Sequence, residues 1–316
     1  MLAVSRSTDL AALATLAESA RDYAERARSA ATQKAYTRDW QAFRAWCEAH
    51  GATALPAPAE VVALYVADLA SSRAVATIER ALVAIGQAHK AAGHASPTST
   101  APVQAVRRGI RRTLGVAQRQ KAPLLVEQLR LVLSGIADDL AGLRDRALLL
   151  AGFATSLRRA ELVALDVDDC TFRPEGLTVL VRRSKTDQEG AGRVVGVPLG
   201  QHAETCPVRA LRAWLAAVAR SSGPVFVSVS RWGALGGRLD GRDVARIVQR
   251  RTRAVGLEAD FAGHSLRAGL VTSAKRAGKS TRSIQRQTAH KSEAMVARYD
   301  RDGDVFRDNA AEGLGL

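Results

Sequence analysis

The chain has 316 residues and a formal charge of +15 at pH 7, a length that suits two domains of ordinary size. With 47% hydrophobic and 24% charged residues it is no disordered tail, and its longest apolar stretches, near Leu148–Phe153, fall far short of the ~18 residues of a membrane span. Cys47, Cys170 and Cys206 form neither a disulfide framework nor a CxxC metal pair, and Arg6, Asp9 and Glu18 spoil a signal peptide, so a cytoplasmic protein is expected.

A positive charge of this size, with a pI near 10.7, favours a polyanionic partner, of which nucleic acid is the usual one. The basic residues are 39 arginines and only 7 lysines. That skew also fits a GC-rich genome, but codon bias does not suppress acidic residues.

Along the chain, residues 7–117 read as helices. From Thr32, taken as N-cap, to His50, the residues Tyr36, Trp40, Phe43 and Cys47 form one apolar stripe, and Gly51 ends it. Pro58 opens a helix reaching Ser71, and another runs from Val75 to Ala92. Pro102 opens a fourth, with Val103, Val106, Ile110 and Leu114 on its buried face. Its other side carries Arg107, Arg108, Arg111 and Arg112, whose mutual repulsion an anionic partner relieves. The segment Gly115–Pro123 lacks apolar periodicity, which divides the chain into 1–116, a linker at 117–123, and 124–316. Residues 1–120 hold 15 basic and 9 acidic residues and residues 121–316 hold 31 and 22, so both halves are basic.

The second half is mixed. Helices are expected at 126–137, 141–155 and 159–165. A hairpin of strands Leu177–Arg183 and Arg193–Pro198 follows, then helices near 207–220, 240–255, 265–277, 281–289 and 293–299. The fold class is therefore mainly α with a small β-hairpin or sheet.

There is no Walker A, HExxH or GxSxG motif. Asp166, Asp168 and Asp169 sit together without a distant acidic partner, which disfavours a metal-dependent nuclease. Arg, Lys and His offer the alternative. Thr-Ser-Leu-Arg-Arg-Ala-Glu-Leu at 155–162 puts Arg158 before a short helix, with Glu161 one turn on to orient it. His264-Ser-Leu-Arg267 places His and Arg on one helix face, and Tyr299 follows His290 by nine residues. Lys185, in the hairpin turn, is the only lysine between Lys121 and Lys275. Arginine stays protonated whereas lysine delivers a proton, so a lysine in an arginine-rich stretch points to proton transfer.

The order Arg158, Lys185, His264, Arg267, His290, Tyr299 resembles the tyrosine recombinase (phage integrase) family. That family carries a T-G-L-R-x-x-E-L box, a hairpin Lys, H-x-L-R, a G-H box and a Tyr nine residues beyond. Thr-Gln-Lys-Ala-Tyr-Thr-Arg-Asp-Trp-Gln-Ala-Phe at 32–43 is similar to the signature of the family's N-terminal core-binding domain. Departures exist: Ser156 and Ala289 stand where the family has Gly, and Ala268 where many members have His.

The resemblance implies a helical core-binding domain and an α+β catalytic domain with a C-terminal tail, clamped around DNA. It implies site-specific cutting and rejoining through a covalent 3′-phosphotyrosyl intermediate, without metal, ATP or other cofactor. Arg158, Lys185, His264, Arg267, His290 and Tyr299 are then the catalytic set, supported by Glu161. Lys34, Arg107, Arg108, Arg111, Arg112, Arg242 and Arg246 are candidate DNA contacts. The implied partners are a double-stranded recombination site and three further copies of the chain in a synaptic tetramer, with the tail docking on a neighbouring subunit or covering its own domain, and no membrane. A type IB topoisomerase shares the catalytic set, and a non-enzymatic DNA-binding factor is the alternative of another class.

Overall fold

The computed structural model describes residues 12–20, 23, 29–117, 120–184, 187 and 190–297. It separates into two compact units, Met1–Arg119 and Gln120–Leu316.

The first unit holds helices α1 (Ala30–Ala49), α2 (Ala59–Ala70), α3 (Val75–Ala91) and α4 (Ala101–Leu114). α1 starts earlier than Thr32 because the Ser29 hydroxyl, not that of Thr32, caps it, accepting from the Thr32 N–H. The aromatic stripe does its expected work: Phe43 and Cys47 are buried against Tyr65, Ile78 and Ile85. α1 packs on α3 and α2 on α4. Arg80 and the buried Asp39 tie α1 to α3 at 2.6 Å. On α4, Val103 and Ile110 are buried, but Leu114 is exposed, because the helix ends there and Gly115 turns the chain away with φ +71°.

The second unit begins with α5 (Val126–Ser134), α6 (Leu140–Thr155) and α7 (Arg159–Ala164). An antiparallel sheet follows, ordered β1 (Cys170–Arg173), β2 (Gly176–Val181), β3 (Arg193–Pro198). The β2–β3 pair is the expected hairpin, with Val181 opposite Arg193, although β2 stops short of Arg183. Leu177, Val179, Val181, Val195 and Val197 alternate onto one buried face, which β3 lays against α6 and α8 (Pro207–Ala217). The sequence reading missed β1, and also a second hairpin of β4 (Val227–Val229) and β5 (Leu235–Arg238). Helices α9 (Gly241–Ala254), α10 (Ser265–Arg276), α11 (Thr281–Thr288) and α12 (Glu293–Ala297) complete the described fold.

Two features fix α10, which carries Arg267. A Cβ on Gly269 would lie 1.9 Å from Leu124 O, so glycine lets the segment before α5 dock there, with Leu124 N–H donating to Ser265 O at 3.0 Å. On its other side α10 packs on α6, where Gly152 admits Leu266.

Candidate active site

α6 ends in a left-handed turn at Ser156, with φ +53°, which redirects the chain so that Arg158 becomes the first residue before α7. Helix α7 starts there because Glu161 reaches back to it. Its Oε2 accepts the Arg158 backbone N–H at 3.1 Å and its Oε1 accepts Arg158 Nη1 at 2.7 Å. Glu161 is buried, whereas the Arg158 side chain is 22% exposed. The carboxylate therefore orients a guanidinium that stays partly open to solvent.

The fully buried Arg267 joins two segments that lie far apart in sequence. Its Nη1 donates to Ser156 O at 2.6 Å, and its Nη2 donates to Thr288 O at 2.7 Å and meets His290 Nε2 at 3.0 Å. His290 Nδ1 lies 2.7 Å from Thr288 Oγ1. A second left-handed residue, Ala289 at φ +55°, makes this bend between α11 and His290. Burial above all, then the charges of Arg267, Arg158 and His264, pushes the His290 pKa down to about 4. Through Arg267 the boxes of Arg158 and His290 are held together. His264 sits exposed at the N-terminus of α10.

Two further residues of this cluster, Arg193 and Gln287, belong to no sequence motif. Arg193, at the start of β3, donates from Nη1 to Gln287 O at 3.2 Å and places Nη2 3.9 Å from Glu161 Oε2. Its Nε and Nη2 are buried without a hydrogen bond among the described residues. Gln287 in turn donates to Ala154 O at 2.7 Å and Gly196 O at 3.1 Å. Arg193 and Gln287 thus lash the hairpin to both boxes. No motif singled them out: an arginine among 39 is invisible by type.

Lys185, Tyr299 and the tail Asp300–Leu316 lie outside the described residues. On either side of Lys185, Ser184 and Asp187 exchange backbone hydrogen bonds of 3.2 and 3.1 Å across the turn. Asp166 accepts from Arg238 and Asp169 from Arg182, so these two carboxylates are engaged by arginine. Among the described residues no group of His, Cys, Asp or Glu is placed to hold a metal ion. No helix among them is long and apolar enough to cross a membrane.

The candidate DNA contacts differ in their engagement. Glu79 on α3 takes Arg107 at 2.7 Å and Arg111 at 3.0 Å, so the repulsion along α4 is already offset from within. Arg108 and Arg112 are exposed and carry no ion pair among the described residues, and Lys34 is exposed. On α9, Arg242 and Arg246 are exposed and pair with Asp240 at 3.0 Å and Asp243 at 3.3 Å.

A family model described as the phage integrase family matches residues 122–304. An integrase/recombinase xerD homolog from Selenomonas ruminantium is 42% identical over 293 residues, covering 90% of this chain and 86% of that protein. A tyrosine recombinase XerC from Mycobacterium sp. (strain KMS) is 30% identical over 301 residues, covering 87% of this chain and 89% of its own. In fold, the chain is similar to lambda integrase, solved as a dimer bound to a COC′ core site. The TM-score is 0.63 at 17% identity, with 91% of this chain and 94% of that one covered.

Proposed function

This chain belongs to the phage integrase family, and from that membership we propose how its residues cut and rejoin DNA. It is a site-specific recombinase of the tyrosine type. Tyr299 attacks a backbone phosphate; the P–O5′ bond breaks as the tyrosine–phosphorus bond forms, leaving a 3′-phosphotyrosyl enzyme and a free 5′-hydroxyl. A phenol of pKa ~10 needs positive charge and a base nearby, and His264 takes its proton. Arg158 and Arg267 fork onto the non-bridging oxygens and stabilise the charge of the pentacoordinate transition state. His290 donates to the same phosphate, Lys185 protonates the leaving 5′-oxygen, and Glu161 holds Arg158. A partner strand's 5′-hydroxyl reverses the step, so the bond energy is conserved and no ATP, metal or other cofactor is needed.

The supporting observation is the bridge made by Arg267, which holds the box of Arg158 through Ser156 O and the box of His290 through Thr288 O and Nε2. The partner is a double-stranded recombination site, reached in the cytoplasm at the nucleoid. The first unit serves as the core-binding domain, both units grip the duplex, and four copies assemble at synapsis, the C-terminal tail docking on a neighbouring subunit or on its own domain.

The test is a nicked suicide duplex whose sequence is recovered by crosslinking the wild-type protein to genomic DNA. Wild-type protein should form a covalent adduct that resists denaturation, and Tyr299→Phe should form none. An adduct with Tyr299→Phe assigns the nucleophile elsewhere.

A further inference from the structure

Arginine has no acceptor, so the 3.0 Å contact between Arg267 Nη2 and His290 Nε2 makes Nε2 the acceptor. An Nε2–H on His290, in the other neutral tautomer or in the imidazolium, would set two donors against each other. The ring proton therefore sits on Nδ1, 2.7 Å from Thr288 Oγ1, and that oxygen must accept it. A hydroxyl has one hydrogen, and here it goes to Ile284 O at 2.8 Å. Every donor in the chain Arg267, His290, Thr288, Ile284 thus points the same way. All of these groups are buried, where an unpaired donor is costly. Among the described residues, the charged and titratable groups that act on His290 are Arg267, Arg158 and His264.

In this arrangement Nε2 has no hydrogen to give, although a phosphate oxygen, which is an acceptor, requires one. We propose that Thr288 is a positioning residue that, with Arg267, holds the proton of His290 on Nδ1 before DNA arrives and supports Nε2–H once phosphate is bound. The proposal rests on the reading of His290 as a phosphate donor. An anionic phosphate draws Arg267 Nη2 to itself and away from Nε2. The Thr288 hydroxyl then turns its hydrogen from Ile284 O to Nδ1. Nδ1 releases its proton to water and Nε2 takes one from water, so the ring stays neutral and the proton count balances. The same hydroxyl serves as acceptor in one state and donor in the other. Valine, of equal shape, does neither, whereas serine does both.

The full-length protein, labelled with 15N at its six histidines, reads the tautomer directly, with His290 assigned by its loss in His290→Gln. Without DNA, wild type and Thr288→Ser should show Nδ1–H, and Thr288→Val a mixture with Nε2–H. On the nicked duplex, Thr288→Val should form adduct about tenfold more slowly than wild type, the scale of one buried hydrogen bond, and Thr288→Ser within about twofold. In the His290→Gln background Thr288→Val should slow adduct formation no further. Nε2–H in the DNA-free wild type overturns the proposal, as does a Thr288→Val protein with wild-type tautomer and rate, or a Thr288→Ser protein as slow as the valine variant. Wild-type protein that forms no adduct counts against the recombination chemistry instead, and the DNA-free tautomers still decide the role of Thr288.

Discussion

Ser156 and Ala289 stand at φ +53° and +55°, in the left-handed region where a Cβ costs about 1–2 kcal/mol. Both turns are indispensable to the site, since one aims Arg158 and the other delivers His290 beside Arg267. They are also the two positions at which this sequence departs from the glycines of its family, so the departures fall where they strain the backbone. Ser156 bears a second burden, because its buried hydroxyl has no hydrogen bond among the described residues. Ser156→Gly and Ala289→Gly should each raise the melting temperature of the second unit, by about 2–4 °C per kcal/mol of relief, with the larger rise at Ser156. Calorimetry checks this, and a fall in either variant would mean that the side chain makes up for its own strain. His290 gives a pH prediction. Its folded pKa, about 4, lies below the ordinary 6.5, so between these values the unfolded chain binds a proton that the folded one refuses. Its contribution is full above pH 6.5 and falls as pH drops towards 4. Between pH 7 and pH 5 the second unit should lose about 2 kcal/mol on this account. Urea unfolding of wild type and His290→Gln at the two pH values reads it; equal losses in both proteins would remove His290 as the cause.

At the scale of elements, the helices were legible because each carries period and punctuation together. Val75–Ala91 and Pro207–Ala217 lie within a few residues of the expected bounds, with an apolar face inside and a proline or a small residue at the start. The short strands were not legible. β5 is Leu-Gly-Gly-Arg, exposed along its length, and β1 alternates over four residues only, so neither has a pattern apart from its partner. At the site, the order of motifs singled out Arg158, Arg267 and His290, which the fold draws together, whereas Arg193, Gln287 and Thr288 enter through geometry that no spacing announces. The arginines show why composition has limits. Asp145, fully buried, takes Arg144, Arg250 and Arg251, and Glu79 takes Arg107 and Arg111. Such arginines serve the fold, a use separate from both phosphate binding and codon bias. This splits the basic face of α4 into two pairs with different fates. Arg108→Ala with Arg112→Ala should weaken binding to a mixed-sequence duplex and lower the slope of log K against log salt by about 2. Arg107→Ala should act mainly on the stability of the first unit, by about 1 kcal/mol or less, as part-exposed ion pairs do. Equal salt slopes for the double variant and wild type would take Arg108 and Arg112 off the DNA.

For the whole molecule, the charge divides as +6 over Met1–Arg119 and +9 over Gln120–Leu316. If both units engage one duplex, their counterion release adds, because each neutralised phosphate contributes about 0.9 to the salt slope wherever it lies. Arg108 and Arg112 on α4 sample the first unit, and Arg242 and Arg246 on α9 the second. Their alanine pairs should each lower the slope by about 2, and the quadruple variant by about 4. If only one unit touches DNA, one pair leaves the slope unchanged and the quadruple variant matches the other pair. If the units compete for the same stretch of backbone, the quadruple variant falls short of the sum. The salt slope counts released ions rather than recognised bases, so the experiment needs no recombination site and separates a two-handed grip from a one-handed one on any duplex long enough to fill both units.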